Sequence, residues 1–230
     1  MDVAASLAAD GAAAGVTVIA THQTQGRGRM DRAWIDRPSD SLLLSFVLRP
    51  SGTPRELGVL APLLGLAVAR TVAPFCKSPV FVKWPNDVLV DERKLAGILI
   101  TARNAGERAD LIVGIGLNAN LNTEALPERA TSLAVEAGTM IDLEHLRLQL
   151  FTQLSEVVTR FENRDHEGDL CELQSRLAWR GEQVQVIDAG RTVTGTLRAV
   201  AVDGALAVDG PDGGEFWIVA GTLVRGPRPV

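Results

Sequence analysis

The chain of 230 residues is 46% hydrophobic and 22% charged, with a formal net charge of −5. Those proportions describe a globular protein with one main core and room for a small second domain, and they exclude a disordered chain. Lysines and arginines scattered along a net-negative chain exclude a general nucleic-acid surface, so any bound anion should be small and locally held.

The Ala-rich start carries Asp2 and Asp10 but no Lys or Arg, so it reads as neither signal nor transit peptide. Residues 3 to 9 are predicted to form a short helix closed by Gly11, and Val16 to Ala20 a buried strand. That strand runs into "QTQGRGRMDRAW" (Gln23 to Trp34), and "SLLLSFVLR" (Ser41 to Arg49) is the next strand. Leu57, Leu60, Leu64, Ala67 and Thr71 then recur at helical spacing, with Pro62 in the first turn and an end near Pro74. The apolar stretches are read as falling short of the roughly 20 residues that a membrane span needs.

"VFVKW", "DVLV", "KLAGILITA" and "ADLIVGIGLN" follow as short β-rich runs, with turns at Pro85-Asn86-Asp87 and at Asn104 to Gly106. Four successive strands imply one sheet. Leu143, Leu146, Leu150, Leu154, Val157 and Phe161 mark a helix along its face, and residues 166 to 178 another. The arrangement reads as α+β. After Trp179 the period changes to alternating runs with turns at Asp188-Ala189-Gly190 and Asp203-Gly204. A small β-barrel of residues 180–230 is therefore expected behind a main domain of residues 1–179. Cys76 and Cys171 lie far apart and outside any CxxC or Cys/His cluster, which fits a reducing cytoplasm better than a disulfide framework or a metal site.

In the arginine loop, Gly26 and Gly28 permit close backbone approach, while Arg27, Arg29 and Arg32 supply permanent planar donors suited to carboxylate or phosphate. Taken alone the loop is equally a solvated surface loop with Arg–Asp pairs, and without GxxxxGK[ST] it is not a P-loop. The hairpin "VKWPNDVLVDERKLAGI" (Val82 to Ile98) would bring Lys83, Lys94 and the carboxylate of Asp87 to one end of a sheet. "GIGLNAN" (Gly114 to Asn120) ends a strand with two glycines and an amide, a pattern equally explained by close strand packing.

Together, and in this order, the three segments closely resemble the motifs of biotin protein ligases, over about residues 2 to 165, with the β-rich tail agreeing. The resemblance implies a mixed sheet with packed helices, as in class II aminoacyl-tRNA synthetases and biotin ligases, followed by a small SH3-like barrel. It also implies a reaction in two steps, in which biotin and ATP give biotinyl-5'-AMP and a lysine of a biotin carboxyl carrier protein takes the acyl group. The carrier would be of the acetyl-CoA or pyruvate carboxylase type. Two unit anions about 4 Å apart repel by roughly 4 kcal/mol at an effective dielectric near 20, so fixed cations are required.

Carried over by position, Gln23, Gly26, Arg27, Gly28, Arg29, Lys94, Gly97, Gly114 and Gly116 would contact biotin or its adenylate. Arg29, Arg32, Trp34, Lys83, Asn86, Asn118 and Arg225 would bind ATP, Asp87 would orient these cations or help hold Mg²⁺, and Arg29 and Lys94 would be catalytic. The loop should order over the adenylate and shield it from water. The chain departs from the family pattern in two places. A Ser-Thr segment and a strand usually precede the first helix, whereas here Met1-Asp2-Val3 stands at its end; and Asp31 replaces a glycine. No helix-turn-helix precedes the motifs, so neither DNA binding nor repression is expected, nor is membrane attachment; pairing of two copies through a sheet edge would give a homodimer. The alternatives are a biotin- or adenylate-binding pseudoenzyme, a lipoate ligase-like acyl transferase and a carrier-interaction module.

Overall fold

Gly11, at φ +87°, ends the first helix, α1 (Asp2–Ala9), where the left-handed backbone suits glycine. The computed structural model describes residues 1–226 apart from residues 31, 32, 36, 39, 106, 107 and 189. Six strands, β1 (Thr17–Ala20), β2 (Ser41–Leu48), β3 (Val80–Lys83), β4 (Asp87–Val90), β5 (Arg93–Ala105) and β6 (Arg108–Asn118), form one antiparallel sheet. Its order is β1-β2-β6-β5-β4-β3, so the four successive strands of the sequence are neighbours and β2 joins them on the far side of β6. The turn read at Asn104 to Gly106 falls partly outside the described residues.

The near-continuous apolar run of β2 has a physical cause: both of its faces are covered. Leu42, Leu44, Phe46 and Leu48 enter the main core, while Val47 packs with Ala4, Ala8 and Ile112 beneath α1. On the core face lie α2 (Leu60–Val72) and α4 (Leu143–Glu162), the latter buried through Leu146, Leu150, Leu154, Val157 and Phe161 at the predicted spacing. Asp142 caps α4 by accepting from the backbone of Glu144 and His145. With its flanking 3₁₀ turns, the α2 segment runs from Glu56 to Phe75, 20 residues apolar enough to span a membrane, which corrects the shorter estimate from sequence. Most of that run is buried inside the protein, so it is accounted for as a core helix.

The next helix, α5 (Glu167–Ser175), stops before the predicted residue 178. The chain leaves the helix to extend the sheet: the Val82 N–H donates to Arg176 O at 2.8 Å and the Ala178 N–H to Val82 O at 2.9 Å. Trp179 and Gly181, both at positive φ, then turn it into a second sheet. Strands β7 (Gln183–Asp188), β8 (Arg191–Val200), β9 (Leu206–Asp209), β10 (Glu215–Ile218) and β11 (Thr222–Arg225) stand in the order β10-β9-β8-β7-β11. The expected barrel is thus a five-stranded antiparallel sheet, and among the described residues no ladder joins its edge strands β10 and β11. Ala189, in the β7–β8 turn, lies outside the described residues.

The second sheet grips the first through the β8–β9 turn. Trp84, buried to 2% exposure, donates its Nε1–H to Gly204 O at 2.9 Å, and Arg55 Nε reaches Asp203 Oδ2 at 2.6 Å. At this contact a Cβ on Gly204 would lie 2.3 Å from the Gly58 carbonyl carbon, and one on Gly58 would lie 2.5 Å from Asp203 O.

Candidate functional site

Strand alternation builds the floor of the site. In β6, Leu111, Val113, Ile115 and Leu117 point into the main core, which leaves Gly114 and Gly116 on the α1 face. Register places Gly97 of β5 opposite Gly116, and Ser45 of β2 opposite Gly114. These glycines and Ser45 line a cavity of about 240 Å³ closed by the arginine loop and the start of α1. Their missing side chains make room for others: a Cβ on Gly116 would lie 2.5 Å from Trp34 Cε2, one on Gly97 3.2 Å from Trp34 Cζ3, and one on Gly114 2.7 Å from Met1 Sδ. The Trp34 Nε1–H is buried and finds no acceptor among the described residues. An unmet buried donor costs about 1–3 kcal/mol, a cost that a ligand acceptor would remove.

A second cavity, of about 140 Å³, lies on the other side of Trp34, between the Trp84-Pro85-Asn86-Asp87 turn and Gly221, Thr222 and Leu223 of the second sheet. Gly28, Arg29, Trp34, Asn86 and Lys94 line both cavities and so form the partition between them. Within it Lys94 Nζ stands 2.6 Å from Asp87 Oδ1 and 5.5 Å from the Trp34 ring centroid. Arg29 Nη1 donates to Asn86 Oδ1 at 3.2 Å and to Gly221 O at 3.3 Å, and Asn86 Nδ2 donates to Ile98 O at 2.9 Å. Among the described residues the partition's two cations, Arg29 and Lys94, stand beside one carboxylate, Asp87, and a half-buried aromatic ring.

Gln23 and Arg27 line the first cavity, and Lys83 and Asp87 line the second. Arg27 meets Asp2 at 3.0 Å in an exposed pair, and the Lys83 ammonium lies 5.0 Å from the Trp179 ring centroid. Three predicted residues line neither cavity. Gly26 forms the neck of the loop, where the Trp34 N–H donates to Gly26 O at 3.1 Å and a Cβ would lie 2.1 Å from Trp34 O. Asn118 is buried and donates Nδ2 to Thr131 O at 3.0 Å. Arg225 is held by Glu182 and Glu92 in a separate cleft beside Trp179. Arg32 and Asp31 lie outside the described residues.

Among the described residues Asp87 is the carboxylate that faces the second cavity, and one of its oxygens is engaged by Lys94. The described residues contain no cluster of three His, Cys, Asp or Glu, so the donor set suits Mg²⁺ only as an ion carried on phosphates, with one protein oxygen to spare. Sequence reasoning missed Ser45 and Gly221. A polar residue inside the apolar strand "SLLLSFVL" was the signal for the first; Gly221 contributes only a backbone carbonyl and had none.

A sequence model of the biotin/lipoate A/B protein ligase family matches residues 4–118, the stretch that holds the arginine loop, both lysines and the glycine floor. The chain belongs to this family. A second member, the biotin–[acetyl-CoA-carboxylase] ligase of Mycobacterium tuberculosis, is 32% identical over 217 residues, covering 92% of this chain and 79% of its own. The bifunctional ligase/repressor BirA of Bacillus subtilis is 34% identical over 151 residues, or 62% of this chain; the matched stretch spans just under half, 46%, of that relative. Among solved structures of the family, the Aquifex aeolicus biotin protein ligase in complex with biotin and ATP superposes with a TM-score of 0.81 at 29% identity. That match covers 97% of this chain and 94% of the other.

Proposed function

We propose that the protein is an ATP-dependent biotin protein ligase, which forms biotinyl-5'-AMP and then transfers biotin to a lysine of a carrier protein of the acetyl-CoA carboxylase type. Residues 1–179 would be the catalytic unit and 180–230 a small domain that completes its second cavity. The observation that carries the reading is the shared partition: Arg29 and Lys94 border both cavities. Biotin would occupy the glycine-floored cavity beside Gln23, Arg27, Gly28, Gly97, Gly114, Gly116 and Ser45. ATP would occupy the other beside Lys83 and Asn86, with Trp34 walling off both. The two reactive anions then meet at the partition.

In the first step a biotin carboxylate oxygen attacks the α-phosphorus, the bond to the β-phosphate oxygen breaks, and pyrophosphate leaves. Lys94 and Arg29 lower the barrier by holding charge that develops between the carboxylate and the phosphate, Lys94 from the sheet and Arg29 from the loop as it closes. Asp87 keeps the Lys94 ammonium aimed and becomes exchangeable with phosphate as partner. Mg²⁺ would neutralise phosphate charge as part of the MgATP substrate, with Asp87 the carboxylate among the described residues that could join it. In the second step the carrier lysine, as the free amine, attacks the biotinyl carbonyl and AMP departs. The related Mycobacterium tuberculosis ligase is named for acetyl-CoA carboxylase, which supports that carrier class.

The test is pyrophosphate release with MgATP and either biotin or lipoate, on the parent chain and on Lys94→Ala. Release with biotin and not with lipoate, abolished in Lys94→Ala while its thermal melt is unchanged, is the expected result. Near-normal turnover in the variant would remove Lys94 from the chemistry, and a preference for lipoate would move the chain to the other branch of the family.

A further inference from the structure

Lys94 sits where β5 has parted from β6 and the main sheet holds it on the β4 edge alone. β5 pairs with β6 only from Ala96, opposite Leu117. Two residues earlier another segment takes the place of β6: the Lys94 N–H donates to Arg129 O at 2.8 Å, and the Thr131 N–H donates to Lys94 O at 2.9 Å, a parallel bridge centred on Ala130. On the opposite edge Lys94 faces Leu89 and Ala96 faces Val88, which leaves Leu95 as the extra residue of a bulge. Bulges beside functional sites redirect a side chain, and here the bulge lets Lys94 reach Asp87. Lys94 thus takes its backbone position from the strap Arg129–Thr131 on one edge and from β4 on the other.

One side chain fastens the strap to the strand. Glu136, in the short helix α3 (Leu133–Ala137), accepts a hydrogen bond from Thr131 Oγ1 and lies 2.9 Å from Arg93 Nη2. Its side chain is 6% exposed. The carboxylate therefore grips the strap at Thr131 and the strand at Arg93, the two residues that flank the bridge at Lys94. Asn118 holds the same strap from β6 through Thr131 O. A buried carboxylate is tolerated only when its charge and lone pairs are met, and both partners of this one lie next to the bridge.

We propose that Glu136 and Thr131 are positioning residues for Lys94, setting its place at the partition without touching either substrate. The proposal rests on the role assigned to Lys94 above. In Thr131→Val and Glu136→Gln, the turnover of adenylate formation is expected to fall about 10- to 100-fold, the loss typical of a misplaced catalytic group, while KM for biotin stays unchanged. Thr131→Ser, which keeps the hydroxyl, should restore turnover. In a Lys94→Gln background Thr131→Val should cost little further, because the group it positions is gone. A merely structural role would lower melting temperature, raise KM and add its loss to that of Lys94→Gln. Unchanged turnover in folded Thr131→Val or Glu136→Gln, beside an inactive Lys94→Ala, would overturn the positioning role and leave the reading of Lys94 standing. An active Lys94→Ala would overturn both.

Discussion

At the scale of single residues the site is defined as much by atoms left out as by charges put in. Gly116 is the sharpest case, since the nearest heavy atoms to a Cβ there belong to the rigid indole of Trp34, at 2.5–2.9 Å. The ring cannot yield as the end of a flexible chain would, and it forms the partition between the cavities. Gly116→Ala should weaken biotin binding about tenfold or more, a cost of roughly 1.4 kcal/mol or above. Gly168→Ala is the control: it lies in α5, where an added methyl would meet no atom within 4 Å, and it should leave binding untouched. Titration with biotin distinguishes the two, and equal affinity in Gly116→Ala and the parent would show that Trp34 can move aside freely.

At the scale of elements, closure and acid stability have separate origins. The exposed Arg27–Asp2 pair, 56% and 66% exposed, is of the kind worth at most about 1 kcal/mol, so it holds the arginine loop only weakly over the cavity. Backbone amides of residues 24 to 30 should therefore exchange fast in the empty protein and slowly with biotinyl-5'-AMP bound; equal exchange in both would mean a preformed loop. The junction of α2, α4 and α5 is held differently. Burial pushes the Asp169 carboxyl up, but hydrogen bonds from Arg160 and Arg70, with their charges, outweigh it and hold it below the usual carboxylate range. Hydrogen bonding from Arg70 does the same for Glu172, against a smaller opposing effect of burial. Such lowered values contribute stability that is complete above the unfolded-state values, near 4, and is lost as pH falls through the folded ones. Asp169→Asn should thus melt lower at pH 7 and lose less stability on acidification to about pH 3 than the parent does. Parallel melting curves across that range would place the acid sensitivity elsewhere. These elements were largely legible in the sequence, because the periods of α4 and β2 and the Pro85-Asn86-Asp87 turn are local properties. The end of α5 was not, since it is decided by hydrogen bonds to β3, nor was the strap beside Lys94, which is separated from it by about 35 residues of chain. Nor were the contacts of two residues read as ATP donors: Asn118 bonds to Thr131 O and Arg225 to Glu182 and Glu92, none of which adjoins its partner in sequence.

For the molecule as a whole, the two sheets meet directly behind the turn that lines the second cavity: Trp84 precedes Pro85-Asn86-Asp87 and bonds to Gly204, while Gly221 takes a donor of Arg29. Gly204→Ala would force a methyl to within 2.3–2.5 Å of Gly58 and Val59 backbone at φ +84°, where an L side chain is also strained. It should lower the melting temperature by several degrees and slow adenylate formation more than it weakens biotin binding, as a melt and steady-state kinetics would reveal. A loss confined to biotin affinity would count against the second sheet as a support for the turn. The partition made by Gly28, Arg29, Trp34, Asn86 and Lys94 has a consequence for energetics. Because one set of residues borders both chambers, any shift of that wall on filling one is felt in the other, and thermodynamic linkage makes the effect symmetrical. Whatever factor biotin imposes on the equilibrium affinity for ATP, ATP imposes on the affinity for biotin, and a substitution in the wall must rescale both by one and the same number.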